Sequence, residues 1–169
     1  MNATIIVVEG VAGSGKTTTG QLLAAQLGYP FLEGDSLHPV TNIEKMTRGA
    51  PLTDDDRAPW LAAIHACIVE SYRLHKGLVV ACSALKQSYR KLLADGVAIT
   101  WVYLKGSEEL IRARLQRRQH HFFKAQMLAS QLADLEEPTD AMVIDITVTP
   151  EAAVRQIVSA LTLTQAKVS

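Results

Sequence analysis

The chain has 169 residues, and its 17 Lys and Arg balance 17 Asp and Glu to a formal net charge of zero. That length suits one domain with a sizeable core, and the neutral total excludes a globally basic nucleic-acid binder and an acidic disordered tail. Hydrophobic residues make up 48% but aromatics only 5%, so the core must be mainly aliphatic. The apolar runs near Ile5–Val8 and Leu78–Cys82 fall far short of the ~20 residues of a membrane span. Glu9 interrupts the first run and no basic flank precedes it, so no signal peptide is expected. Cys67 and Cys82 lack Cys-x-x-Cys spacing and read as buried thiols of a reducing, cytoplasmic compartment.

Strand and helix patterns alternate along the chain. Thr4–Glu9 is a β-branched run of the buried parallel-strand type. Gly10–Gly15 breaks it, and Lys16–Leu27 reads as a helix stopped by Gly28. Pro30–Glu33 is a short strand ending in a Gly-Asp turn. Pro39–Arg48 is weakly helical. Asp56–His75 is the longest helical pattern, with Pro59 in its first turn, where a missing N–H costs little. Leu78–Ser83 is a third strand, Lys86–Ala94 a helix, and Ala98–Leu104 a fourth strand. Ser107–Arg118 is helical with Ser107 suited to its N-terminus. Phe123–Leu135 is a further helix, Met142–Ile146 a fifth strand, and Pro150–Leu163 a closing helix. Strands separated by helices imply a parallel sheet covered on both faces.

Gly10-Val11-Ala12-Gly13-Ser14-Gly15-Lys16-Thr17 fits the pattern G-x-x-x-x-G-K-[ST], leaving a strand and opening a helix. Glycines let backbone N–H groups turn onto a phosphate, and the helix N-terminus adds positive partial charge. Lys16 would reach the β- and γ-phosphates of ATP, and Thr17 would ligate Mg²⁺. A GTPase would need an Asn-Lys-x-Asp segment, which is missing. An AAA-type ATPase is usually longer, with an apolar strand ending in Asp-Glu. Here the third strand runs into Ser83-Ala84-Leu85-Lys86. Short length and an acidic turn after the second strand favour a small-molecule or nucleoside-monophosphate kinase.

A specific resemblance follows from Gly34-Asp35-Ser36-Leu37-His38-Pro39, Asn42, Lys45-Met46, Gly49, Pro51-Leu52, Asp54, Asp56-Arg57 and Pro59-Trp60-Leu61. Cys82-Ser83-Ala84-Leu85-Lys86, Tyr89-Arg90, Tyr103-Leu104-Lys105-Gly106, Arg114, Arg118, His121-Phe122, Ser130-Gln131, Leu135-Glu136 and Pro138 extend it. Over about residues 5–146 the chain resembles the gluconokinases, a shikimate-kinase-like branch of P-loop small-molecule kinases. The resemblance implies an α/β, three-layer P-loop kinase fold, with a parallel five-stranded sheet, helices on both faces and a small lid over about 112–130. It implies transfer of the ATP γ-phosphate to the 6-hydroxyl of D-gluconate by a homodimer.

Asp35 lies at the carboxyl end of the second strand, where open α/β sheets bind ligands. There it can orient or deprotonate an acceptor hydroxyl, or cap the next segment through Asx-type bonds. The family usually has Asp-x-Asp at this point. Glu33 departs from it, and its longer carboxylate would reach Mg²⁺ through water. His38 is either a substrate donor or a packing residue. Arg48 and Arg57 are candidates for the gluconate carboxylate, since guanidinium pairs bidentately with planar oxyanions. Arg57 has the alternative of an ion pair within Asp54–Asp56. That acidic run reads as helix N-terminal capping rather than a metal cluster. Val40-Thr41 stands where the family often has a basic residue. Lys86 would hold a substrate oxygen or a phosphate, or be an ordinary exposed lysine.

Arg112, Arg114, Arg117 and Arg118 crowd one helix end ahead of His120-His121. Such a cluster is commonly a solvated face. The resemblance instead implies arginines closing over ATP, with Arg118 clamping the transferred group, Arg114 beside it and His121 near the substrate. The histidine pair has no zinc-ligand spacing with other His or Cys. Two other readings remain at this level: a kinase for another polyol acid such as shikimate, and a nucleotide-binding regulatory module without turnover. No nucleic-acid or membrane partner is expected.

Overall fold

The β-branched runs pair side by side because each is apolar on both faces and must be covered on both. The computed structural model describes residues 4–117 and 125–166. Strands β1 (Ile5–Glu9), β2 (Phe31–Glu33), β3 (Leu78–Ala81), β4 (Ile99–Lys105) and β5 (Met142–Asp145) form one sheet in the order β2-β3-β1-β4-β5, all neighbours parallel. The helices are α1 (Lys16–Leu27), α2 (Val40–Thr47), α3 (Asp54–Arg73), α4 (Gln87–Leu93), α5 (Glu108–Arg117), α6 (Ala125–Asp134) and α7 (Pro150–Ala166). A 3-10 turn at Gly34–Leu37 joins β2 to α2.

Alternation along each strand splits the core into two layers. Ile6, Val8, Val79, Val102 and Leu104 pack on one face with Leu23, Ile111, Leu128 and Ile157. Ile5, Val7, Val80 and Trp101 pack on the other with Trp60, Ile64, Ile68 and Leu93. The three-layer expectation and the five strands therefore hold. Boundaries shift by one to three residues, the closing helix running to Ala166 rather than Leu163, as hydrogen-bond closure at element ends decides them. The change that bears on the site is at α3, which starts at Asp54 rather than Asp56. Thr53 caps it, accepting from the Asp56 N–H at 3.1 Å, while the Asp56 carboxylate accepts from the Thr53 N–H at 2.7 Å. Ser107 caps α5 by accepting from Leu110 N–H at 3.2 Å, in line with the sequence expectation. The start expected for the helix at Phe123 lies outside the described residues.

Central β1 pairs with β3 on one side and β4 on the other; the chain leaves β1 for the β2–β3 side and later returns past it to β4. That reversal leaves a crevice beyond the carboxyl end of β1, where α/β sheets bind ligands. Among the described residues no helix is long and apolar enough to cross a membrane.

Candidate active site

A cleft of about 840 Å³ opens at this crevice. Its wall includes Gly13, Lys16 and Thr17 from the glycine-rich loop, Asp35 and His38 after β2, Arg57 and Trp60 from α3, Ser83 after β3, and Gln131 from α6. Residues far apart in sequence thus meet where a phosphate donor and a small acceptor can lie together.

At one end the loop turns through Gly13 at φ 81° and Gly15 at φ 95°, conformations that favour glycine. A Cβ at Gly13 would also approach Leu115 to 2.9 Å. Lys16 opens α1, and its Nζ donates to Val11 O at 3.1 Å. Arg114 stands beside the loop: its Nη1 lies 3.8 Å from where a Gly15 Cβ would be, and its Nη2 donates to Ile146 O. Gly10, Val11, Ala12 and Ser14 complete the loop. Ser14 is buried, and its Oγ has no hydrogen-bond partner among the described residues.

Thr17 Oγ1 donates to Glu33 Oε2 at 2.5 Å. The longer glutamate therefore reaches the Thr17 hydroxyl directly. A hydroxyl and a carboxylate oxygen side by side, Thr17 exposed and Glu33 half-buried, are hard donors of the kind Mg²⁺ takes alongside waters and phosphate oxygens. The residues present fit that ion. Among the described residues no group of three or more His, Cys, Asp and Glu forms a closed metal cage.

The acceptor end is built on a close approach of backbones. A Cβ at Gly34 would sit 2.5 Å from Ala81 O, so only glycine lets the turn pass β3. Gly34 O accepts from Trp60 Nε1 at 2.8 Å. The His38 ring stacks on Trp60, centroids 4.2 Å apart and planes at 15°. Asn42 Nδ2 donates to Asp56 O at 2.8 Å and faces His38 Nδ1 at 3.2 Å. That nitrogen of Asn42 only donates, so His38 Nδ1 accepts and the ring proton lies on Nε2. Burial lowers the His38 pKa below its usual 6.5, against the opposing pull of Asp35. His38 is therefore a neutral donor in the cleft wall. Asp35 is exposed in the same wall.

Arg57 is the cation of the acceptor end of the wall. Its Nη1 donates to Tyr89 Oη at 2.8 Å and to Asp134 Oδ2 at 2.9 Å. Its Nε and Nη2 make no hydrogen bond among the described residues, which leaves a bidentate edge for a carboxylate. The partner of Arg57 is thus Asp134 from α6, not the Asp54–Asp56 run. Those aspartates have separate work. Asp56 caps α3 and pairs with Lys45 at 2.6 Å, and these bonds hold its carboxyl down at about 2. Asp54 accepts from Tyr89 Oη and from Lys86 Nζ, the latter at 2.9 Å.

The structure does not bring every candidate to the cleft. Lys86 is engaged by Asp54 and lies 3.8 Å from Asp134, outside the wall. Arg48 is exposed at the end of α2, also outside it. Arg112 pairs with Glu108 on the surface of α5. Arg118, His120 and His121 lie outside the described residues. Sequence reasoning missed the contact of Gln131 with the glycine-rich loop and the Asp134–Arg57–Tyr89 link. Ser130-Gln131 formed part of the resemblance, yet no spacing rule assigns such long-range partners.

The comparisons agree with this geometry. The chain is 48% identical over 147 residues to the thermoresistant gluconokinase of Escherichia coli K12, covering 84% of each chain. The chain belongs to the gluconokinase family. It is 52% identical over 136 residues to the gluconokinase of Gluconobacter oxydans, covering 80% of this chain and 76% of that one. The crystal structure of a gluconokinase from Sinorhizobium meliloti superposes with a TM-score of 0.85 at 41% identity, covering 99% of this chain and 96% of that one. Residues 5–138 match the family model described as "AAA domain". The sequence reading set this chain apart from AAA-type ATPases. The match shows that the P-loop frame is common to both, although β3 here ends at Ala81 and runs into Cys82-Ser83 with no Asp-Glu. The protein is an ATP-dependent small-molecule kinase of the gluconokinase family.

Proposed function

We propose that the acceptor is D-gluconate and that the 6-hydroxyl receives the γ-phosphate. One observation carries this reading: a single cleft wall holds the glycine-rich loop at one end and Asp35, neutral His38 and the open edge of Arg57 at the other. The identity to gluconokinases supports the same substrate.

In this reading Arg57 takes the gluconate carboxylate and His38 Nε2 donates to a chain hydroxyl. Asp35 orients the 6-hydroxyl and accepts its proton as the hydroxyl oxygen bonds to the γ-phosphorus. The bond between that phosphorus and the β–γ bridging oxygen breaks, and ADP leaves with the electron pair. Lys16 and the loop N–H groups offset charge on the phosphates, Arg114 does so from α5, and Arg118 is proposed as a further cation clamping the transferred group. Mg²⁺, held on Thr17 with Glu33, would neutralise β- and γ-oxygen charge when bound. Gly10 to Thr17 cradle the phosphates. Lys86 steadies Asp54 and through it Tyr89, so it acts on the acceptor indirectly. The family resemblance also supports a cytoplasmic homodimer, which sedimentation would test.

ADP release measured across gluconate, other aldonates, shikimate and nucleoside monophosphates tests the assignment. Turnover with gluconate well above the rest is expected. Turnover confined to a nucleoside monophosphate would overturn it.

A further inference from the structure

Gln131 links α6 to the glycine-rich loop, 119 residues away in sequence. Its Oε1 accepts from the Ala12 N–H at 2.8 Å. An amide N–H only donates, so the orientation of the Gln131 side chain is fixed: the oxygen faces the loop and Nε2 is turned away from it. Nε2 makes no hydrogen bond among the described residues, and Gln131 lines the cleft together with Ala12, Lys16, Thr17 and Asp35. Met127, four residues before it on α6, lines the same wall, as does the adjacent Ser130.

We propose that Gln131 is a ligand of the phosphoryl group being transferred. Without nucleotide, its carbonyl oxygen occupies the Ala12 N–H in the manner of a phosphate oxygen. With ATP bound, a γ-phosphate oxygen takes that N–H, and the Gln131 amide presents its Nε2–H donors to the same group. One side chain thus satisfies the loop when the terminal phosphate is absent and holds that phosphate when it is present. A diphosphate leaves the resting contact in place. The inference rests on the nucleotide end of the cleft and not on the identity of the acceptor.

Gln131→Met keeps side-chain length and removes both hydrogen-bonding functions. A non-hydrolysable ATP analogue should bind about tenfold more weakly to it, because a bond to a charged group is lost. ADP affinity should be unchanged. With the acceptor the wild type turns over, kcat should fall about 10²-fold, as when one transition-state donor is removed, with acceptor KM little altered. Gln131→Glu retains an acceptor for Ala12 and serves if the first variant fails to fold. The same selective loss for the triphosphate is expected there. Equal weakening of ADP and the analogue in Gln131→Met, or wild-type values for both, would overturn the proposal in favour of a purely structural tie. If the wild type fails with gluconate, the two nucleotide affinities still decide this question separately.

Discussion

Asp35 and Glu9 show how much one carboxyl's surroundings decide. Asp35 sits exposed in the cleft wall beside neutral His38. As the proposed proton acceptor, Asp35→Asn should lower kcat by ~10²–10⁴-fold with ATP affinity nearly unchanged, read by initial rates and nucleotide titration. Glu9, just before the glycine-rich loop, is 1% exposed. Its Oε2 lies 3.5 Å from Arg90 Nη1, and its Oε1 has no partner among the described residues. Burial pushes its carboxyl up to about 8, against the lowering effect of Arg90. A raised acid pKa means that the folded chain holds its proton after the unfolded chain has lost it. The stabilisation is complete below about pH 4.5 and is lost as pH rises through about 8. Glu9→Gln mimics the protonated form. Urea midpoints of variant and wild type should coincide near pH 4 and separate by pH 8.5, the variant being the more stable. A constant gap would refute the assignment.

At the scale of elements, α3 and α6 carry the site, and they were unequally legible. The run from Trp60 to Ile68 announced α3 by its 3.6-residue spacing, but its first turn depended on Thr53, which the acidic run overshadowed. The reciprocal bonds of Thr53 and Asp56 are local, so the signal was present in the sequence as Thr-x-x-Asp. Thr53→Ala should cost ~1 kcal/mol in urea denaturation, and Thr53→Ser should recover most of it. The glycine-rich loop was legible because its chemistry is consecutive in sequence. The Asp134–Arg57 pair spans 77 residues and depends on how α6 docks. Periodicity says which face of a helix is apolar, not which polar residue it meets across a cleft. Lys86 illustrates the same limit: its position after β3 suggested a ligand, and its nearest anion proved to be Asp54.

For the whole molecule, α6 is the element that reaches both ends of the cleft. Gln131 holds the nucleotide loop, Asp134 holds Arg57, and just beyond the helix Glu136 N–H donates to Leu85 O at 2.8 Å. Amides of α6 should therefore exchange more slowly with an ATP analogue and gluconate bound together than with either alone, measured by hydrogen exchange. Equal protection by nucleotide alone would confine the coupling to the loop. The sheet order itself was not readable, because alternating strands and helices fix parallel pairing but not which neighbour each strand takes. The buried carboxyl at the end of β1 also alters the molecule's electrical character. Near neutral pH folding draws a proton from solvent onto Glu9, while His38, its pKa lowered, is already uncharged. Proton uptake at this one carboxyl therefore accompanies folding near neutral pH, so refolding in a weakly buffered solution should raise the pH of its medium.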